Sequence, residues 1–169
     1  MASWLGPDSE EHDFVFAEFD AEVKTTRSEG RVHVIGTETQ LQSSPDRPLY
    51  LISTQITGAG QAVDGFSLPA LIGSVRESLE SSRVLFDQHL SGLGWHDASA
   101  DLYRDAYMLR SVPTAYVVDE NFPAITSARL DAVVPQRQLV GSVSYRVNVT
   151  HLATIVPPSP LADYCEAPE

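Results

Sequence analysis

At 169 residues with 43% hydrophobic content, the chain has the size of one ordinary domain and the material for a real core. A formal charge of −12 argues against a generally basic, non-specific nucleic-acid surface, and no apolar run reaches the length of a membrane span. The amino end, MASWLGPDSEEHD, lacks the basic and apolar regions of a signal peptide, and the single Cys165 rules out an intramolecular disulfide and a Cys-rich zinc site, so the chain reads as a soluble cytoplasmic protein.

His12 to Thr26, HDFVFAEFDAEVKTT, predicts a β-hairpin. If its arms pair with Asp13 opposite Glu22, the two-residue period of a strand sends Phe14, Phe16, Phe19, Ala21 and Val23 to one face. Asp13, Val15, Asp20, Glu22 and Lys24 then point the other way. Directly opposed residues have Cβ atoms roughly 4.5–5.5 Å apart, close enough for one Mg²⁺ to bridge both acids through oxygens at about 2.0–2.1 Å. Lys24 follows roughly 6.6 Å along the same face, within reach of whatever the cation binds. Two acids and a lysine so placed supply what phosphodiester hydrolysis requires: a polarised water and compensation for charge developing on phosphorus. The competing reading is a solvated edge strand whose Glu-x-Lys pair is a surface ion pair and a guard against edge aggregation.

Gly30 turns the chain into Arg31 to Ile35, which predicts a third strand continuing an antiparallel meander, with Val32 and Val34 inward. Lys24, Arg27, Arg31 and Arg47 fall close together in sequence, enough for a local positive groove in an acidic molecule. Ser43 to Pro48 is a turn by composition, and Leu49 to Ile56 is a further strand. The loop TGAGQAVDG lacks the spacing and flanking Lys of a phosphate-binding P-loop.

Ser67 is a candidate N-cap for a helix running to Glu80, with Leu68, Leu71, Ile72, Val75 and Leu79 at helical spacing. A second helix is expected from Ser82 to about Ser91, stopped by Gly92 and Gly94. Ala106 to Arg110 and Thr114 to Val118 read as strands. In the last strand Val143, Tyr145, Val147 and Val149 alternate with Ser142, Ser144, Arg146 and Asn148. The Pro-rich segment beyond His151 reads as irregular. Asn148-Val149-Thr150 matches a glycosylation pattern but falls on this strand in a chain without a secretion signal. His96-Asp97 has no accompanying G-x-S-x-G, and no H-E-x-x-H is present, so serine and zinc hydrolase chemistry lack support. Cys165 lies in acidic surroundings that would raise its pKa, and reads as an incidental tail residue.

The segment HDF…AEVKTT, with WLGP before it and GRVHVIGTETQL after it, resembles the PD-(D/E)XK nuclease superfamily, most closely an uncharacterised bacterial branch. The likeness continues through PLYLIS, through YRDAYMLRSVPTAYVV from Tyr103 to Val118, and from FPAIT to SVSYRVNVTHL, covering nearly the whole chain. It implies that Asp13 and Glu22 bind the metal and Lys24 completes the catalytic set, with Gln40 an accessory polar residue. For Gln40, a water-solvated loop glutamine is the equally weighted alternative. It also implies Mg²⁺, or Mn²⁺, as cofactor, DNA as substrate, and a setting in phage defence or restriction.

The superfamily's core resembles α-β-β-β-α-β, whereas only twelve residues precede Asp13. The opening helix is therefore expected to be missing, and the chain reads as the carboxy-terminal part of a larger protein, a shortened paralogue, or the product of a misplaced start. A partner chain or an amino-terminal half would then complete the site, and Glu10 or Glu11 is a stand-in for the helix's acid. The expectation is an α/β (α+β) fold: a restriction-endonuclease-like mixed sheet with an amino-terminal β-meander and helices packed on it. Residues 1–152 form a single domain and 153–169 an irregular tail. Its function would be metal-dependent hydrolysis of DNA, or else that of a catalytically degenerate module serving as a structural or interaction subunit.

Overall fold

The computed structural model describes residues 4, 11–79 and 81–166. Along the chain these form β1 (Phe14–Val15), β2 (Asp20–Thr26), β3 (Val32–Ile35), β4 (Leu49–Gly58), β5 (Phe66–Ser67), α1 (Leu68–Ser78) and α2 (Arg83–Gly92). There follow β6 (Ala106–Leu109), β7 (Thr114–Val117), α3 (Ser127–Val133) and β8 (Tyr145–Asn148). The result is a mixed α+β fold consistent with a restriction-endonuclease-like architecture. Residues 1–3 and 5–10, where any opening element would begin, lie outside the described residues.

The sheet is organised on β4, whose run LYLISTQITG is apolar and β-branched enough to be covered on both faces. One edge of β4 takes β2 in parallel, from Asp20 opposite Leu49 to Thr26 opposite Gln55. Its other edge takes β7 over Tyr50 to Ser53 and then β6 over Ile56 to Gly58, both antiparallel. β1 closes the outer edge of β2 as the expected hairpin, with Phe14 opposite Ala21 and Val15 opposite Asp20. Extending that register by one residue sets Asp13 opposite Glu22.

The meander ends at this hairpin. β4 holds one edge of β2 along its whole length and β1 covers only Asp20 and Ala21 of the other, yet β3 does not take the remainder of that edge and pairs with β8, antiparallel, in a separate ribbon that lies against the sheet. Its alternation is as expected but its phase is reversed: His33 and Ile35 are buried, whereas Val34 is 55% exposed. The polar residues can be buried because the sheet offers them partners, described below.

Two apolar clusters sandwich the sheet. One contains Phe19, Ala21, Tyr50, Ile52 and Ala115, with Phe14, Phe16 and Val23 packed on it, so the hairpin's predicted apolar face is the observed one. Phe16 stacks on Phe19 and Phe19 meets Tyr50 edge-on, an arrangement that adds to the burial of each ring. The other cluster joins Leu49, Leu51 and Tyr116 of the sheet to Ile35, Val147 and Val149 of the ribbon. The face of β2 that carries Asp20 and Glu22 is therefore covered by protein and is not a solvated outer face.

Ser67 caps α1, its hydroxyl accepting the Ala70 N–H. Of the apolar residues expected to seat this helix, Ile72 is buried, while Leu68 and Leu71 stay largely exposed. α2 ends at Gly92, and Gly94 just beyond has φ +85°, the left-handed conformation that glycine takes without a Cβ clash. α3 is capped by Thr126, whose hydroxyl accepts the Arg129 N–H. The carboxy-terminal segment has little regular structure, yet Ile155 bonds to Ala115 along β7, and Leu161 and Cys165 pack on the Phe19 cluster. Burial, and not acidic neighbours, raises the Cys165 thiol pKa. Among the described residues no helix is long and apolar enough to cross a membrane.

Candidate functional site

Asp13, Glu22 and Lys24 converge where β1 stops and β2 continues. The Asp13 carboxylate takes over from the missing backbone, its Oδ2 accepting the Val23 N–H at 2.9 Å. Two residues apart on one face, Glu22 and Lys24 meet directly, with Lys24 Nζ 2.6 Å from Glu22 Oε1. Glu22 is only 2% exposed and Lys24 19%, so this is a buried pair, opposite to the solvated edge pair that the sequence also allowed.

Burial raises the Glu22 pKa from 4.5 to about 7. Lys24 and the Asp13 backbone N–H pull it down, whereas the Asp13 carboxylate pushes it up, which places the two acids within electrostatic reach of each other. Asp20, on the same face, is taken up by Arg47 at 2.6 Å, with His12 Nδ1 at 3.7 Å from its other oxygen.

The floor beyond Lys24 is polar. Ser53 of β4 lies beside Lys24 in the sheet, and its Oγ meets His33 Nε2 at 2.8 Å. Arg31 donates to the Ser53 carbonyl at 2.7 Å, to Ser53 Oγ, to Ser111 Oγ and to the Val112 carbonyl, so it is buried by hydrogen bonds and not by a carboxylate. Burial, with Arg31 and Lys24 nearby, lowers the His33 pKa to about 4, so this imidazole is neutral at neutral pH.

Past this floor a groove of about 380 Å³ runs between the far end of β2 and the outer face of the ribbon. Lys24, Arg27 and Arg146 supply its charges, Thr25, Thr26 and Ser28 its hydroxyls, and Val32 and Val34 an apolar wall. The positive groove expected from Lys24, Arg27, Arg31 and Arg47 is thus built differently: Lys24 and Arg27 line it, Arg31 is buried in the floor, and Arg47 is spent on Asp20. Arg146 enters through the Val34–Arg146 pairing of β3 with β8, a long-range contact with no local signal beyond its place on the polar side of an alternating strand.

Gln40 sits in the loop after β3, and its Oε1 accepts the Gly36 N–H at 2.8 Å, so that oxygen is committed to the loop. Glu11 is exposed, and Glu10 lies outside the described residues. An apolar cavity of about 440 Å³ between the helices and β1, lined by Trp4, Phe14, Phe16 and Phe86 among others, carries no titratable group.

The donor set fits a hard divalent cation in one respect. Mg²⁺ is commonly held by one or two carboxylates and completes its shell with water and substrate phosphate, and Asp13 and Glu22 are two such groups, opposed in register. Among the described residues no group of three or more His, Cys, Asp or Glu side chains is gathered, which does not favour a site closed by protein ligands alone. A family model described as "Putative PD-(D/E)XK family member, (DUF4420)" matches residues 1–150. No curated protein and no solved structure matches the chain.

Proposed function

The chain belongs to the PD-(D/E)XK family whose model covers residues 1–150, and from that membership we propose that Asp13, Glu22 and Lys24 form a divalent-cation-dependent centre for hydrolysing phosphodiesters in DNA. The single observation that carries the reading is the meeting of Glu22 with Lys24 under cover, beside Asp13. Burying a carboxylate and an ammonium is costly unless the pair has a use or ideal surroundings.

In this proposal Asp13 Oδ1, which has no hydrogen-bond partner among the described residues, and the Glu22 carboxylate are the protein's ligands to the cation. When bound, the cation, Mg²⁺ or Mn²⁺, supplies Lewis-acid polarisation of the phosphate and an acidified water. Released from Glu22, the Lys24 ammonium can donate to a phosphoryl oxygen and to the attacking water, opposing the negative charge that grows on phosphorus. Neutral His33 and Ser53 hold the floor beneath Lys24 without adding a competing charge. The setting proposed with this chemistry is the cytoplasm, in restriction or phage defence.

The test is cleavage of supercoiled and linear DNA with Mg²⁺ or Mn²⁺, repeated with EDTA and with Glu22→Gln. Cleavage that EDTA and Glu22→Gln both abolish supports the reading, while equal cleavage by wild type and variant refutes it. The second reading is a catalytically silent module acting as an interaction subunit. It is favoured by Lys24 already neutralising Glu22 and by the absence of a third acidic ligand among the described residues. Calorimetric titration separates the two, because a silent module binds neither ion specifically.

A further inference from the structure

We infer that the groove between β2 and the β3–β8 ribbon binds a single strand of nucleic acid by its phosphodiester backbone, with Arg27 and Arg146 as the phosphate contacts. The inference rests on the nuclease reading only for where the strand leads, since the groove begins at Lys24.

The first argument is charge. The chain carries 23 acidic residues against 11 lysines and arginines, yet three of those cations line this groove and no Asp or Glu does. Among the other described arginines, five pair with carboxylates, Arg47 with Asp20, Arg76 with Asp87 and Asp97, Arg83 with Asp87, Arg104 with Asp101 and Arg137 with Glu38, and Arg31 and Arg129 are held by backbone carbonyls. Among the described residues neither Arg27 nor Arg146 has a carboxylate partner. Two uncompensated guanidiniums held on opposite walls of a concave surface suit an anion with several charged oxygens.

The second argument is spacing and donors. Lys24 and Arg27 are three residues apart, roughly 10 Å of extended chain. That length exceeds the span of a lone phosphate ion and suits a chain of linked phosphates. The Val23 N–H points out of the β2 edge to Asp13, so the Thr25 N–H, two residues on, points out of the same edge beside the hydroxyls of Thr25, Thr26 and Ser28.

The third argument selects a single strand. Sequence-tolerant single-strand sites combine a basic track with surfaces on which bases stack. Here the groove's apolar wall, Val32 with the exposed Val34 beside Arg146, gives such a surface, and Arg27 is held in place by the Tyr107 ring at 5.4 Å. Unpaired bases present faces to such a surface, whereas a duplex hides them, and its second strand would lie over a surface of net negative charge.

The experiment is fluorescence anisotropy with a dye-labelled single-stranded oligonucleotide at low salt in EDTA, so that binding is read without cleavage. Wild type should bind, and Arg27→Ala/Arg146→Ala should bind at least about tenfold more weakly, with the log–log salt slope shallower by about 1.4, two contacts at 0.7 each. Both side chains are exposed or at the surface of their strands, and unchanged thermal melting of the variant confirms its fold. Arg104→Ala, on the surface and paired with Asp101, should change nothing. Absence of wild-type binding, or binding unaltered in the double variant, overturns the inference. So does equal affinity for the blunt duplex, or displacement by inorganic pyrophosphate at concentrations as low as the oligonucleotide's. The two readings fail separately: Arg-dependent binding without cleavage under any divalent ion removes the catalytic proposal alone, and cleavage with Arg-independent binding removes the groove alone.

Discussion

Glu22 and Lys24 form an ion pair 2.6 Å long at a point where the carboxylate is almost completely withdrawn from water. Burial and the neighbouring ammonium act on that carboxyl in opposite directions, and burial prevails, giving a pKa of about 7 in place of 4.5. A carboxyl whose folded pKa is raised binds its proton more tightly when folded. Its contribution to stability is therefore greatest below pH 4.5, declines as pH rises towards 7, and is constant above. The loss across that window is on the order of 3 kcal/mol. Denaturant unfolding in EDTA should show wild type losing stability over this range relative to Glu22→Gln, which cannot titrate. Parallel pH profiles for the two proteins would contradict the assigned burial.

A cation bound between Asp13 and Glu22 should reverse this dependence, because it favours the ionised form. At pH 8, Mg²⁺ or Mn²⁺ at about a hundred times its dissociation constant should add about 3 kcal/mol. The stabilisation should fade as pH falls and protons compete for Glu22. Asp13→Asn separates the roles of Asp13: its amide oxygen can still accept the Val23 N–H, so metal-free stability should change by less than about 0.5 kcal/mol while the metal response is lost. Asp13→Ala should also lose the hydrogen bond, at about 1 kcal/mol. Thermal melts with and without metal distinguish these outcomes.

If Lys24 opposes charge in the transition state, Lys24→Ala should lower the cleavage rate by about 10²–10³-fold, the usual cost of removing one such donor. Because its partner Glu22 is buried, the same substitution leaves an uncompensated carboxylate and should raise the Glu22 pKa further. The activity loss must therefore be read well above pH 8, where Glu22 is ionised in the variant as in wild type, and against Lys24→Arg, which keeps the charge. A variant with Lys24→Ala that cleaves normally at that pH removes lysine from the mechanism.

What the sequence disclosed of this arrangement was local. The hairpin register, its apolar face and the Ser67 cap follow from side-chain alternation and capping chemistry within short windows. The partners of β3 did not follow, because β2 and β4 associate in parallel across 22 intervening residues, from Thr26 to Leu49, and nothing within β3 reveals that its partner is β8, more than 100 residues on. The same long-range placement hid Arg146 and turned His33 inward, where Ser53 receives it. α3 was missed although Thr126 followed by SARLDAV carries a cap and helix-forming residues, since its seven residues are too few to establish a period. Gln40 was legible as a polar loop residue, but its bond to Gly36 depends on the loop's own closure.

Arg31 joins the ribbon to the sheet, and its role is structural in a way that can be measured apart from chemistry. One guanidinium nitrogen donates to Ser53 and the other to Ser111 and Val112, tying the start of β3 to β4 and to the turn between β6 and β7. Truncation to Ala removes several charge-assisted hydrogen bonds and leaves buried oxygens without donors, which should cost about 3–5 kcal/mol. In a domain of this size each kcal/mol lowers the melting temperature by roughly 2–4 °C, so Arg31→Ala should melt about 6–20 °C below wild type. Arg31→Lys should recover part of this, because one ammonium can reach Ser53 but cannot bridge to Ser111 as the planar fork does. His33 gives a second readout: with the guanidinium gone, one of the charges that depresses its pKa is lost, and its imidazole resonances should titrate at higher pH. A melting temperature within a degree of wild type, together with an unshifted His33 titration, would show that Arg31 does not fasten the ribbon to the sheet.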